Sequence, residues 1–499
     1  MASGPVILGT LSLDRRAAIP LQAQLYRALR EGVLSGRLPP GTRLPASRVL
    51  ARDLHVARNT VVAVFEQLAS EGYFESRVGS GTRVATIRPE VLLHARSASP
   101  RVTIDGTRPV LSRRGQALAD VRRGSADADV CAFQVGLPAV DAFPIETWAR
   151  LLTRRARTPT RGSLTYQYAA GHPALREAIA TYLGAARGVV CRPSQVIVVA
   201  GAQAGLDLAC RLLIDPGDPA WIEEPGYLGA RGALLAADAR LVPVPVDADG
   251  LDAEAGARLS PAAKLVYASP SHQLPLGVTM SLPRRLALID WAARSGAWIL
   301  EDDYDSEYRY GGRPLSAMQG IDTSGRVIYV GTFSKTMFAA LRVGYLVVPE
   351  ALADAFAIAM RHTGHSTSVV VQAALADFIG EGHFTAHVRR MRTLYARRQS
   401  RLVHAARRRL DGLLTIAPSD AGMHLVGTLA PGIDDVAVAS AARVGGVSVR
   451  PLSVHYLGPR RRHGLLLGYA GVPEREIDRG IERLAEVTAG AVDGARRRG

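Results

Sequence analysis

Gly331-Thr332-Phe333-Ser334-Lys335-Thr336, followed by Leu341-Arg342-Val343-Gly344-Tyr345, carries one of only two lysines among the 61 basic residues of this 499-residue chain. Where arginine fills nearly every cationic position, a retained lysine marks a place that guanidinium cannot serve. An amine that must condense with an aldehyde is such a place. Guanidinium stays protonated, whereas a lysine near other cations loses its proton and attacks. Thr332 and Arg342 bracket Lys335 with a hydroxyl and a guanidinium, groups suited to a single phosphate. The other lysine, Lys264, precedes the apolar run Leu265-Val266-Tyr267 and has no such neighbours.

Outward from this stretch, short β-rich runs alternate with helical segments. Val196 to Ala200, Ala220 to Ile222, Leu265 to Ala268, Trp298 to Leu300 and Val327 to Val330 read as strands, and Gly205 to Leu213 and Pro283 to Arg294 as helices. That alternation predicts a mainly parallel sheet covered by helices on both faces, with ligands gathered beyond the carboxyl ends of the strands. Gly201-Ala202-Gln203 follows the first strand and opens a helix, so its backbone N–H groups face a phosphate position. Asp302 ends a strand in Ile299-Leu300-Glu301-Asp302-Asp303-Tyr304-Asp305, where a carboxylate pairs with a protonated pyridine nitrogen. Tyr304 is placed for a ring hydroxyl, and Tyr227 in Glu224-Pro225-Gly226-Tyr227 for stacking on the ring. Ser269-Pro270-Ser271-His272-Gln273-Leu274-Pro275-Leu276-Gly277 is expected to turn polar groups into the same crevice.

The amino-terminal quarter has another texture. Leu21, Leu25, Leu29 and Val33 repeat every four residues, the stripe of an amphipathic helix that stops at Ser35-Gly36. Pro39-Pro40-Gly41 forces a turn, and a second helix is expected from Ser47 to Leu54, burying Val49, Leu50 and Leu54. A third helix carries Val61, Val64, Phe65 and Leu68 on one face and opens on Arg58-Asn59-Thr60. Tyr73 to Val78 and Thr82 to Val84 read as strands around Gly79-Ser80-Gly81. Three helices and a glycine-turned hairpin make a winged helix-turn-helix. Its third helix enters the major groove, where Arg and Asn pair with base edges. Arg48 is placed for a phosphate and Gly81 for close approach of the wing; a three-helix protein-binding module is the alternative.

Charge agrees with a nucleic-acid partner. The net charge is +16, and residues 1–128 hold 19 arginines against 10 acids, more than half of the excess in a quarter of the chain. Residues 86–128 lack sustained periodicity, contain Arg113-Arg114 and Arg122-Arg123, and read as a flexible basic linker between modules at 12–85 and 129–499. With 47% hydrophobic and 21% charged residues the composition is that of globular protein. No apolar stretch reaches membrane-spanning length, and Met1 to Leu13 lacks a basic leader. Cys131, Cys191 and Cys210 form no metal-spaced pair, so a reduced, cytoplasmic protein without a metal centre is expected.

Pro20-Leu21-Gln22, Gly36-Arg37-Leu38-Pro39-Pro40-Gly41, Leu44-Pro45-Ala46-Ser47-Arg48 and Arg58-Asn59-Thr60-Val61 resemble the GntR family of bacterial regulators. The resemblance implies a dimeric reader of repeated sites in double-stranded DNA, with Arg48, Arg58, Asn59, Thr60 and Gly81 at the nucleic acid. From about residue 132 to 490, the order of phosphate turn, stacking tyrosine, Pro-Leu-Gly loop, strand-end Asp302 and a lysine 33 residues later is similar to fold-type I aminotransferases. It implies a large domain with a smaller C-terminal α+β subdomain, and pyridoxal 5′-phosphate held as an aldimine on Lys335. Asp302, Tyr304, Tyr227, Ala202, Gln203, Thr332 and Arg342 would surround it. The joined modules, with Ser271-His272-Gln273 and Glu301 to Tyr310, resemble the MocR subfamily, which implies a head-to-tail homodimer controlling transcription.

One departure bears on activity. Aminotransferases carry an arginine for the substrate carboxylate in a strand that here reads Gly464-Leu465-Leu466-Leu467-Gly468, and Leu466 takes its place. Losing such a bidentate pair costs about 2–4 kcal/mol of substrate binding. Arg450, in Val449-Arg450-Pro451, is a candidate substitute from a neighbouring strand. Three functions follow: a regulator sensing pyridoxal phosphate, an amine or an amino acid; an active aminotransferase with a DNA-binding appendage; and a cofactor-free scaffold.

Overall fold

The computed structural model describes residues 13–15, 17–77, 81–86, 110–121, 132–165, 168–311, 315–459 and 462–496. The expected domain start at residue 12, the Gly79-Ser80 wing tip, Val78, Cys131, Arg122-Arg123 and linker residues 87–109 lie outside these. The chain divides into two compact units, Met1–Pro109 and Val110–Gly499.

In the first unit, α1 (Leu21–Leu34), α2 (Ser47–Asp53) and α3 (Arg58–Ser70) precede the antiparallel hairpin of β1 (Phe74–Arg77) and β2 (Gly81–Val84). The four-residue stripe of α1 packs Leu25, Leu29 and Val33 against Leu50, Val61, Val64 and Leu68, all essentially without exposure. Each such side chain contributes about 1.5–3 kcal/mol by burial. Phe65 and Phe74 meet edge to face at 5.5 Å and tie α3 to the wing. Val49, expected inside, is 39% exposed, because a seven-residue helix turns Leu50 and Ala51 inward and leaves Val49 on the far side. Leu54, also expected inside, is half-buried just past the end of α2; the three helices and the hairpin are as expected.

The second unit is built on an eight-stranded sheet of order β3-β10-β9-β8-β7-β4-β5-β6. Its members are β3 (Val196–Val199), β4 (Pro219–Glu224), β5 (Arg240–Asp247), β6 (Gly250–Leu251), β7 (Leu265–Ala268), β8 (Trp298–Asp303), β9 (Val327–Thr332) and β10 (Gly344–Val347). Neighbours from β5 to β9 run parallel, while β10 lies antiparallel to both β3 and β9. Strands β3, β7, β9 and β10 are buried throughout, as a sheet covered on both faces requires. The period of two sorts their side chains: Ile197 and Val199 enter one hydrophobic cluster, Val196 and Val198 another. Two strands are not legible in the sequence: β5, whose Pro243 and Pro245 argue against a strand, and β10.

The smaller subdomain is a four-stranded antiparallel sheet of β11 (Leu414–Ile416), β12 (His424–Leu429), β14 (Gly464–Gly468) and β13 (Arg450–Pro451), in that order. Residues 110–121, within the expected linker, belong to the second unit. Residues Arg113–Ala119 form a helix capped by Ser112, whose Oγ accepts from Gly115 N. Leu118 reaches the Leu228–Ala236 helix at Gly232, and Arg113 pairs with Asp238 at 3.6 Å. This stretch is therefore part of the large unit rather than a free tether. Among the described residues no helix is long and apolar enough to cross a membrane.

Candidate cofactor and DNA sites

Lys335 lies three residues past the end of β9, beside the strand-end carboxylates of β8. Its Nζ donates to the Gly136 carbonyl at 2.8 Å. Gly136 has φ +83°, and a Cβ there would fall 2.5 Å from Nζ, so the loop must carry glycine to pass the lysine. Burial lowers the Lys335 pKa to about 8, helped by the positive charge of Arg450 and opposed by Asp305 and Asp302. A neutral amine is thus accessible near neutral pH. Gly136 was missed in the sequence, although Val135-Gly136-Leu137-Pro138 is a turn signal just inside the large domain.

Asp302 is buried in β8. Its Oδ2 accepts from the Tyr267 hydroxyl at 2.7 Å, and its Oδ1 has no hydrogen-bond partner. Burial pushes the carboxyl up to about 7, against the Tyr267 bond. An unpartnered carboxylate oxygen at this depth is costly and fits a protonated pyridine nitrogen. Tyr227 stands 6.3 Å, ring to ring, from Tyr267. Gly229 makes room for it: a Cβ there would strike both Tyr227 and the Gln203 side chain, whose Nε2 donates to the Gly229 carbonyl at 2.9 Å.

The residues expected at a phosphate are also brought together. Gly201, at φ +88°, caps the helix Ala202–Leu213 at the end of β3. The Arg342 guanidinium lies beside it, about van der Waals distance from a Cβ built on Gly201. Thr332 ends β9 and its Oγ1 accepts from Ser334 N at 3.1 Å. Backbone donors at a helix start, a hydroxyl and a guanidinium suit a phosphate dianion. These residues therefore fit pyridoxal phosphate, which when bound supplies an aldehyde for an amine and a ring that takes up electrons.

The Ser269 to Gly277 loop departs from expectation. Its polar groups are engaged mainly with the scaffold rather than turned into the crevice. Ser269 Oγ donates to Glu223 at 2.7 Å, Gln273 Nε2 to Glu223 and the Pro225 carbonyl, and Arg187 donates to Ser271 while pairing with Asp303. Buried Glu223, raised to about 7 by desolvation, needs these donors. His272 is the exception and contacts Tyr304 and Asp305. The Tyr304 hydroxyl donates to the His272 carbonyl at 2.9 Å.

Leu466 is fully buried among Leu452, Tyr456, Val135, Leu276 and Val426. Arg450 pairs in register with it across β13 and β14, and its charge bears on Lys335, His424 and His455. Lys264 is exposed and outside this assembly.

In the first unit, Arg48, Arg58 and Asn59 are exposed and Thr60 is half-buried, at the starts of α2 and α3. The first turn of α3 has no side-chain cap; the Thr60 N–H donates to the Ala57 carbonyl at 3.0 Å, and those of Arg58 and Asn59 are left available to an anion. Gly81, at φ +84°, lies against the Arg43 side chain, and Arg83 donates to the Gly41 carbonyl at 3.1 Å. Arg43 and Arg83 thus add two cations at the wing that motif reading passed over.

Residues 129–484 match the family model of aminotransferase class I and II, and residues 21–84 that of bacterial regulatory proteins, gntR family. The chain is 49% identical over 474 residues to the probable rhizopine catabolism regulatory protein MocR of Rhizobium meliloti, covering 95% of each chain. It is 34% identical over 478 residues to the HTH-type transcriptional regulator TauR of Rhodobacter capsulatus, covering 93% and 96%. Among solved structures, a Pyrococcus horikoshii kynurenine aminotransferase in complex with PMP matches with a TM-score of 0.67 at 28% identity, over 80% of this chain and 99% of that one. A class I and II aminotransferase domain behind a gntR-type reader, matched end to end by such a regulator, places the chain in the MocR family of transcriptional regulators.

Proposed function

We propose that this regulator binds operator DNA through Arg48, Arg58, Asn59, Thr60 and Gly81, and holds pyridoxal phosphate on Lys335 to sense an amine that carries an anionic group. Asp302, Tyr304, Tyr227, Ala202, Gln203, Thr332 and Arg342 complete the cofactor site. The observation that carries the reading is Asp302, a deeply buried carboxylate with one oxygen awaiting a donor, close enough to Lys335 for their charges to interact. A homodimer in head-to-tail arrangement, working in the cytoplasm, belongs to the same reading and rests on the family resemblance. Mobility shift of the protein's upstream DNA tests it: binding should weaken steeply with salt and change when pyridoxal phosphate or an amino acid is added. Steady conversion of an amino acid to a keto acid over many turnovers would instead favour an enzyme.

Arg450 supports the anionic class of effector. It is a cation within the field of Lys335, opposite the apolar Leu466. Arg450→Leu is expected to raise the amino-acid concentration needed for a response by about 10- to 100-fold, the size of one charge-assisted hydrogen bond. Neutral amines should respond as before. Equal losses for both, measured by fluorescence titration, would remove Arg450 from the effector site.

The low Lys335 pKa has its own consequence. Only the neutral amine attacks an aldehyde, so capture of pyridoxal phosphate by cofactor-stripped protein should accelerate as pH rises and level off above about 8. Stopped-flow absorbance checks this, and a rate still climbing at pH 10 would contradict it. In Arg450→Leu the midpoint should move upward, because a neighbouring positive charge is gone.

A further inference from the structure

Beside the cofactor residues lies a buried cluster that none of the roles above uses. His272, from the loop after β7, Asp305, just past β8, and His424, on β12, bring their ring nitrogens and carboxylate within 4.8 Å of one another. They are 2%, 1% and 3% exposed. His272 Nδ1 is 3.1 Å from the Tyr304 hydroxyl and 3.1 Å from Asp305 Oδ2. Because the Tyr304 hydroxyl gives its proton to the His272 carbonyl, it does not also donate to Nδ1. Nδ1 must then carry the proton and donate to both oxygens. Nε2 is buried without a partner, which suits a bare lone pair better than an orphaned N–H. His424 is fixed the other way: its Nε2 donates to the Pro275 carbonyl at 3.1 Å, and burial drives its pKa to about 3. It therefore packs on His272 as a neutral ring, 5.1 Å between centroids.

We propose that His272, held in its Nδ1–H tautomer by Asp305, is a positioning residue that donates to the Tyr304 hydroxyl and strengthens the hydrogen bond Tyr304 gives to the cofactor's ring oxygen. A hydroxyl that accepts one hydrogen bond donates a better one, since the chain of bonds is mutually polarised. When the cofactor is present, the Tyr304 proton turns from the His272 carbonyl to the ring oxygen, and the Nδ1–H bond remains. Gly422 and Gly277 keep the imidazole in place: a Cβ on Gly422 would fall 2.0 Å from its Cε1, and one on Gly277 3.1 Å from Nε2. The inference rests on Tyr304 facing the ring hydroxyl.

The charged and titratable groups around this chain of bonds are Asp302 and Asp303 on β8, Asp305 beyond it, Glu223 on β4, Lys335, Arg450 on β13, His455 and neutral His424. The test is a pH titration of the visible absorbance of full-length protein loaded with pyridoxal phosphate. His272→Gln, which loses a donor at the Nδ1 position, should raise the midpoint by about one pH unit, a tenfold change in the equilibrium. His272→Asn, whose amide N–H replaces Nδ1–H, should keep the wild-type midpoint. Equal shifts in both variants would mean that the imidazole only fills space and would overturn the proposal; so would no shift in either. Tyr304→Phe separates the two levels. If it shifts the midpoint and His272→Gln does not, the relay fails and Tyr304 stands. If Tyr304→Phe shifts nothing, its placement at the ring hydroxyl fails as well. A midpoint that moves with added zinc or a chelator would make the three side chains a metal site and refute the relay.

Discussion

Lys335→Ala is expected to erase the visible absorption band of the loaded protein and the response of DNA binding to any amine. Operator affinity without effector should remain within about twofold. The amine of Lys335 is the group with access to a neutral state beside the buried acceptor Asp302, and alanine has no nucleophile to offer. Gly201, Thr332 and Arg342, proposed to hold the phosphate, are untouched, so pyridoxal phosphate should still bind, reversibly and without the tether. Effector coupling in regulators usually amounts to a factor of about 5–150 in affinity, and in this variant it should fall to about one. The reader lies in a separate unit, Met1–Pro109, with its own core, which is why basal binding survives. Nor should the fold suffer: removing a desolvated cation next to Arg450 relieves repulsion, so the thermal midpoint should hold or rise. Absorbance and fluorescence anisotropy on labelled operator decide the matter. An unaltered spectrum in the variant would sink the Schiff-base assignment.

Much of this site was legible because it consists of local signals at strand ends. A lysine kept among arginines, a carboxylate closing an apolar run and a glycine turn before a helix each have a chemical reading that precedes any coordinates. What the sequence hid is what only tertiary contact creates. Gly136 lies 199 residues from the lysine it admits, and Tyr267 reads as one more aromatic in a buried strand, although its hydroxyl holds Asp302. The Gln273 loop misled because polar residues near a crevice are expected to face it. Buried Glu223 instead draws their donors inward. The helix Arg113–Ala119 was hidden by its length, since seven residues are too few for periodicity to show. Arg450 shows the reverse case: a guess from the missing arginine at Leu466 acquires a register, residue opposite residue, once the strands pair.

Arg58→Ala is expected to weaken sequence discrimination sharply while leaving the cofactor spectrum as it was. Arg58 opens α3, the helix whose buried face of Val61, Val64, Phe65 and Leu68 fixes its opposite side outward. In the helix-turn-helix geometry that leading end enters the major groove, where a bidentate arginine–guanine pair discriminates by about 1–3 kcal/mol. Removing it should reduce operator affinity about 10- to 100-fold and narrow the gap to unrelated DNA by the same factor. With Arg58 proposed to read a base edge rather than a phosphate, the salt slope should change by less than one counterion, whereas Arg48→Ala should lower it by about one and weaken all sequences alike. That contrast separates reading from anchoring within one short module. The large unit carries its own cofactor residues and should bind pyridoxal phosphate normally in both variants. A footprint of Arg58→Ala indistinguishable from wild type would move recognition away from α3, toward Arg43 and Arg83 at the wing.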